Sequence, residues 1–141
     1  MTTIFTRIIE GELPGRFVWR DEHCVVFLSI SPLRPGHALV VPITEIDQWV
    51  DLPPELASHL MQVAHTIGRA QIRAFEPSRV GLIIAGLEVP HCHIHLVPMQ
   101  GMADLDFANA STDTTDEAFD DAARRLRAAL TDLGGNEFVS D

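Results

Sequence analysis

The chain has 141 residues, which fits one domain with a buried core. Its formal net charge is −10, and its ten basic residues are all arginines, scattered along the chain; this excludes the basic patch of a nucleic-acid-polymer binder while leaving a small anionic ligand open. No run nears the roughly 18 apolar residues a membrane span needs, Met1–Phe5 lacks the basic-then-apolar order of a signal peptide, and two cysteines, Cys24 and Cys92, give neither a disulfide framework nor a CxxC clip, so the reducing cytoplasm is the expected compartment.

Phe17–Arg20 and Cys24–Ile30 are apolar and β-rich, and the short polar Asp21-Glu22-His23 between them predicts a hairpin. Ser31–Gly36 is a turn by composition, and His37–Pro42 reads as a buried strand. A helix is expected to start at Asp51-Leu52-Pro53-Pro54-Glu55, with prolines in its first turn. Leu56, Leu60, Val63 and Ile67 form one apolar stripe, and Pro77 bounds the helix from beyond. Val80–Ala85 is a further strand. Residues 100–115 are small and polar and read as a loop. A last helix is expected over about 115–133, with Thr114 and Glu117 at capping-box spacing, Phe119, Ala122, Leu126, Leu130 and Leu133 on its apolar face, and Gly134-Gly135 as its stop. The class is α+β: an antiparallel sheet with one long helix inserted and one appended.

Between the Val80–Ala85 strand and the loop of residues 100–115 lies Pro90-His91-Cys92-His93-Ile94-His95-Leu96-Val97-Pro98. Side chains alternate along a strand, so His91, His93 and His95 share one face at about 6.5–7 Å spacing, while Cys92, Ile94 and Leu96 face the core. A row of imidazoles supports two chemistries. One is metal binding, for which a further ligand such as His37 is needed. The other is phosphate chemistry: a middle histidine donating Nδ1–H to a carbonyl keeps Nε2 free to attack, and its neighbours donate to phosphate oxygens. The residues alone leave both open, beside the plain alternative of polar side chains on a wet sheet face.

His-x-His-x-His in "HCHIHLV", together with "IFTRIIEGELPGRFVWRDEHCVVFLSISPLRPGHALVVP" and "AGLEVPHCHIHLVP", resembles the histidine triad (HIT) family over roughly residues 4–100. The resemblance implies a HIT-like fold with a five-stranded antiparallel sheet and a long central helix, to which the C-terminal helix read above adds an extra element outside the resemblance. It places the HIT domain at 1–105, with 106–141 a loop and helix extension of that domain. It further implies a homodimer and a metal-free, cofactor-free hydrolase or nucleotidyl transferase. Such an enzyme cleaves at the α-phosphate of nucleoside phosphoramidates or dinucleoside polyphosphates. The alternative is a nucleotide-binding dimeric scaffold with little catalysis. By position, His93 is the nucleophile, the His91 carbonyl orients it, and His95 and His37 contact phosphate. Phe5, Ile8, Phe27, Ser29, Ile30, Glu88 and Val89 are the expected nucleotide contacts.

The sequence departs from the family pattern at several points. Ser29 stands where an acidic ribose-binding residue is common, and a hydroxyl lacks the charge-assisted bond a carboxylate makes. The loop before the triad is short, lacks the common Asn, and has Leu87 where Gln is usual. No histidine follows His37–Pro42, where Ile43-Thr44-Glu45-Ile46 stands, and the N-terminal CxxC of some members is missing, which speaks against a structural zinc there. His23, His59 and His65 are expected at the surface, and Cys92 as a buried structural thiol. Trp19 and Trp49 are expected either in packing or beside a base.

Overall fold

The structure is a computed structural model, which describes residues 2–135 and 137–141. Met1, the first residue of the N-terminal stretch read for a leader, lies outside them. Five strands form one antiparallel sheet: β1 (Phe17–Arg20), β2 (Cys24–Leu28), β3 (Ala38–Pro42), β4 (Arg79–Ile83) and β5 (Ile94–Met99), in the order β1-β2-β3-β5-β4. Three helices accompany them: α1 (Ile4–Ile9), α2 (Pro54–Phe75) and α3 (Asp116–Asp132). No helix is long and apolar enough to cross a membrane, among the described residues.

Strand parity divides the sheet into two faces. Val18, Cys24, Val26, Leu28, Ala38, Val40, Ile94 and Leu96 point to one side and meet Leu60, Val63, Ile67 and Ala70 of α2 and Ala122, Leu126 and Leu130 of α3. Val25, Phe27, Leu39 and Val41 point to the other and are covered by Phe5 and Ile8 of α1. The expected stripe on α2 is the buried face, with Leu56 only partly covered. The helix ends at Phe75, where Glu76 takes a left-handed conformation (φ 49°) one residue before Pro77.

Several boundaries and details correct the sequence expectations. β2 stops at Leu28, so Ser29 and Ile30 lie in a loop, and Ile30 is 73% exposed. β3 starts one residue after His37. The cap of α3 is Thr115, whose hydroxyl accepts from Ala118 N–H; Thr114 instead pairs with the Ser111 hydroxyl. The segment read as a plain loop contains 3₁₀ turns at Met102–Leu105 and Phe107–Asn109. α1 was not expected at all: it is capped by the Thr3 hydroxyl, which accepts from Thr6 N–H. Trp19 belongs to the core, while Trp49 is 53% exposed.

The edges of the sheet differ. β1 is closed by the C-terminal segment, through Arg20 N–H to Phe138 O, Ser140 N–H to Val18 O and the bridge of Trp19 with Val139. β4 has no such cover among the described residues, and Leu82 within it is 43% exposed.

Candidate functional site

Only the last triad histidine sits in a regular strand. His91 and His93 lie in the segment that enters β5, anchored by Cys92 N–H to Ile46 O (2.7 Å). The alternation nevertheless holds: Ile94 and Leu96 pack under α2, while His91 and His93 both meet Phe5 of α1, at ring-centroid distances of 5.8 and 4.8 Å. His95 is 4.8 Å from His93 and 5.2 Å from His37, centroid to centroid.

Backbone partners fix the tautomers of these rings one by one. His93 Nδ1 lies 2.7 Å from the His91 carbonyl, which can only accept, so Nδ1 holds the proton and Nε2 the free lone pair. His91 Nε2 lies 2.8 Å from Pro42 O and donates to it, so in the neutral ring Nδ1 accepts from the Thr3 hydroxyl at 2.7 Å. Thr3 is held in turn by Glu45, whose Oε1 accepts from Thr3 N–H and from the Thr6 hydroxyl. His37 Nδ1 accepts from Leu33 N–H (3.0 Å), so its Nε2–H donates to His95 Nδ1 (3.0 Å). That leaves the proton of His95 on Nε2. The site therefore presents a free lone pair on His93 and an N–H donor on His95, side by side.

Burial keeps His37, His93 and His95 neutral. It lowers His37 to about 4 and His95 to about 3, in both cases reinforced by the neighbouring His93, and for His95 also by His37. His93 is lowered too, chiefly by burial, although the His91 carbonyl and Glu88 act in the opposite sense.

The geometry of the approach to His37 depends on two features. Gly36 has φ +89°, and a Cβ there would run into the Phe75 ring of α2. Gln71, fully buried on α2, donates from Nε2 to Gly36 O (2.9 Å) and Leu96 O (3.0 Å), so one amide ties the helix to the residues adjoining both His37 and His95.

Of the expected nucleotide contacts, Phe5, Ile8, Phe27 and Val89 form one cluster beside His93, with Phe5 and Phe27 edge to face at 5.5 Å. Glu88 lines a small cavity with Ala85, Gly86, Leu87, His93, His95 and Phe107. Ser29 and Ile30 stand apart from it. Ser29 Oγ accepts from Ser31 N–H and borders a separate, mainly apolar cavity of about 190 Å³ against α3. Phe107, whose ring lies 4.9 Å from His95, was missed in the sequence because it falls in a polar loop after the recognisable segment.

The HIT domain profile matches residues 10–102. The chain belongs to the HIT family. It is 37% identical to Protein hit of Bacillus subtilis over 106 residues, covering 72% of this chain and 73% of that protein. It is 31% identical to the adenosine 5′-monophosphoramidase of Saccharomyces cerevisiae over 96 residues, covering 67% and 61% of the two. A Zn-bound HIT family protein from Mycobacterium smegmatis superposes with a TM-score of 0.80 at 28% identity, over 95% of this chain and 96% of that one. The superposition extends well past residue 102, where the HIT profile stops, so α3 belongs to the length the two structures share.

Proposed function

We propose that this HIT protein is a nucleotide hydrolase or nucleotidyl transferase that cleaves the α-phosphate bond of nucleoside phosphoramidates or dinucleoside polyphosphates through a nucleotidyl-His93 intermediate. The observation that carries the reading is the pairing of a carbonyl-locked His93, with Nε2 free, and an Nε2–H donor on His95. His93 Nε2 attacks the α-phosphorus, a P–N bond forms, and the bond to the leaving atom breaks with its electron pair. His95 Nε2–H donates to the phosphate oxygens as negative charge builds. Water then attacks phosphorus and releases His93, supplying a hydroxyl to the nucleotide and, overall, a proton to the leaving group. His37 acts one step back, holding His95 in its tautomer. Phe5, Ile8, Phe27 and Val89 offer an apolar seat for the base beside His93. The phosphoramidase name of the yeast relative supports the substrate class.

The same reading includes a homodimer. β1 is closed by the C-terminal segment, so β4 is the edge left to extend the sheet, and exposed Met61 and Ile72 of α2 lie beside its exposed Leu82.

A second reading, a nucleotide-binding dimer with little turnover, draws on Ser29, whose oxygen is engaged by Ser31 N–H, and on Leu87, 95% exposed at the mouth of the cavity. Hydrolysis of adenosine 5′-phosphoramidate by wild type and His93→Ala, both in EDTA, separates the two. Turnover insensitive to chelator and lost in the variant supports the enzyme. Binding of adenosine monophosphate without turnover by wild type supports the scaffold.

A further inference from the structure

On the helix-covered face of the sheet, across from the histidine triad, a second group of ligating side chains converges. Asp21 in the β1–β2 turn, Cys24 at the start of β2 and His59 on α2 each offer one ligand atom, and these atoms lie within 4.8 Å of one another. His59 was expected at the surface; it is instead half-buried, its Nε2 2.8 Å from Asp21 Oδ2. Cys24 Sγ lies 3.6 Å from the same oxygen. That oxygen also accepts from Trp19 Nε1–H (2.9 Å), while Oδ1 accepts from the backbone N–H of His23 and Cys24. Burial alone would raise the Asp21 carboxyl, but these bonds outweigh it and hold the group down at about 2.

We propose that Asp21, Cys24 and His59 form a binding site for a zinc-type divalent cation, separate from the triad. Three arguments support it. First, the donor set is one carboxylate oxygen, one imidazole nitrogen and one sulfur, the mixture borderline-soft metals take. Second, tetrahedral bonds of about 2.0–2.3 Å place ligand atoms roughly 3.3–3.6 Å apart. The sulfur–oxygen spacing is already there. The His59–Asp21 spacing must open by about half an ångström, which the half-exposed His59 side chain allows by rotation. Third, the outermost of the three side chains faces open space. His59 borders a surface cavity of about 460 Å³ that also carries Glu22, His23 and Glu55, so its rim is acidic. The fourth position is open to water or to His23, whose ring lies 5.1 Å from that of His59.

On binding, the Cys24 thiol loses its proton to solvent and the sulfur becomes a thiolate ligand. His59 ligates through Nε2 once the proton that this nitrogen donates to Asp21 has moved, through solvent, to Nδ1. Asp21 Oδ2 exchanges two hydrogen bonds, from Cys24 and His59, for the cation and retains that from Trp19. The metal thereby pins α2 to the hairpin.

The test uses the chain freed of metal by chelator, then titrated with zinc and, separately, cobalt. The expected results are one equivalent of zinc by calorimetry, a thiolate-to-cobalt charge-transfer absorption, and a change in Trp19 fluorescence when Trp49→Phe has removed the other tryptophan. All three should persist in a His93→Ala/His95→Ala variant and in Cys92→Ala. Cys24→Ala should abolish the absorption, and His59→Ala, a half-exposed position that folding tolerates, should weaken zinc by more than the roughly 10–100-fold that losing an outer-sphere partner costs. The proposal is overturned if wild type takes up no zinc, if cobalt gives no thiolate absorption, or if zinc follows the triad variant while Cys24→Ala keeps it.

Discussion

Buried His37 should make the stability of the protein depend on pH between 7 and 5. Its ring is 1% exposed and held neutral down to about 4, against 6.5 for a free histidine. A base with a depressed folded value takes its proton first in the unfolded chain. Stability is therefore complete above the unfolded value, falls as pH drops below it, and stops falling once the folded ring protonates near 4. At pH 5 the unfolded ring lies about 1.5 units into its protonated range, worth about 2 kcal/mol at about 1.4 kcal/mol per unit. Partly buried His95 and buried His93 act in the same direction and are common to wild type and variant. Asp21, the carboxylate held down to about 2, acts only below about 4 and leaves this window alone. His37→Gln keeps an amide that can accept from Leu33 N–H but removes the titration. Urea unfolding followed by far-ultraviolet circular dichroism at pH 7, 6 and 5 should show the wild type losing about 2 kcal/mol more than the variant. At typical urea slopes that is a midpoint difference of about 1 M. Parallel pH dependences in the two proteins would refute a neutral, buried His37.

Leu126→Ala removes a fully buried side chain from the core shared by α2, α3 and the sheet and should cost about 3 kcal/mol in urea unfolding. If residues 106–141 extend the domain, the loss appears in one cooperative transition; if they fold apart, it appears in a separate one. Gly36→Ala meets both a positive φ and the Phe75 ring, so it should destabilise the fold and displace His37, lowering phosphoramidate turnover as well as the melting temperature. Phe107→Ala removes the ring that lies against His95 and should raise KM for bulky leaving groups more than for ammonia, measured with paired phosphoramidates.

The strands, both longer helices and the neighbourhood of the site were legible because their signals are local. Alternation in 91–96 sorted histidines from core residues, and the stripe on α2 named its buried face. What escaped depends on partners distant in sequence. Gln71 reads as an ordinary helix glutamine until the fold brings Gly36 and Leu96 to its amide. Thr3 reads as a tail residue until His91, 88 positions away, accepts a hydrogen bond from its hydroxyl. His59 lies off the apolar stripe and reads as solvated, yet the β1–β2 turn carries Asp21 up to it. α1 has only six residues and is held in place by packing over Phe27, so no helical stripe announces it.

The charge of the site bears on how an anionic substrate reaches it. The chain carries −10, and the cavity at His93 and His95 is lined by Glu88 and by no arginine among the described residues. With His37, His93 and His95 neutral, the proposed function has phosphate held there by oriented N–H donors such as that of His95, while the field of the whole protein opposes its approach. Raising ionic strength from about 0.01 M to about 0.15 M shortens the screening length from ~30 Å to ~8 Å. That removes most of the long-range repulsion and leaves the short contacts in the cavity intact. kcat/KM for an anionic phosphoramidate should therefore rise with salt while kcat stays level. A site that worked through a fixed positive charge would show the reverse, so a fall in kcat/KM over this range would mean that the imidazoles carry protons when substrate arrives.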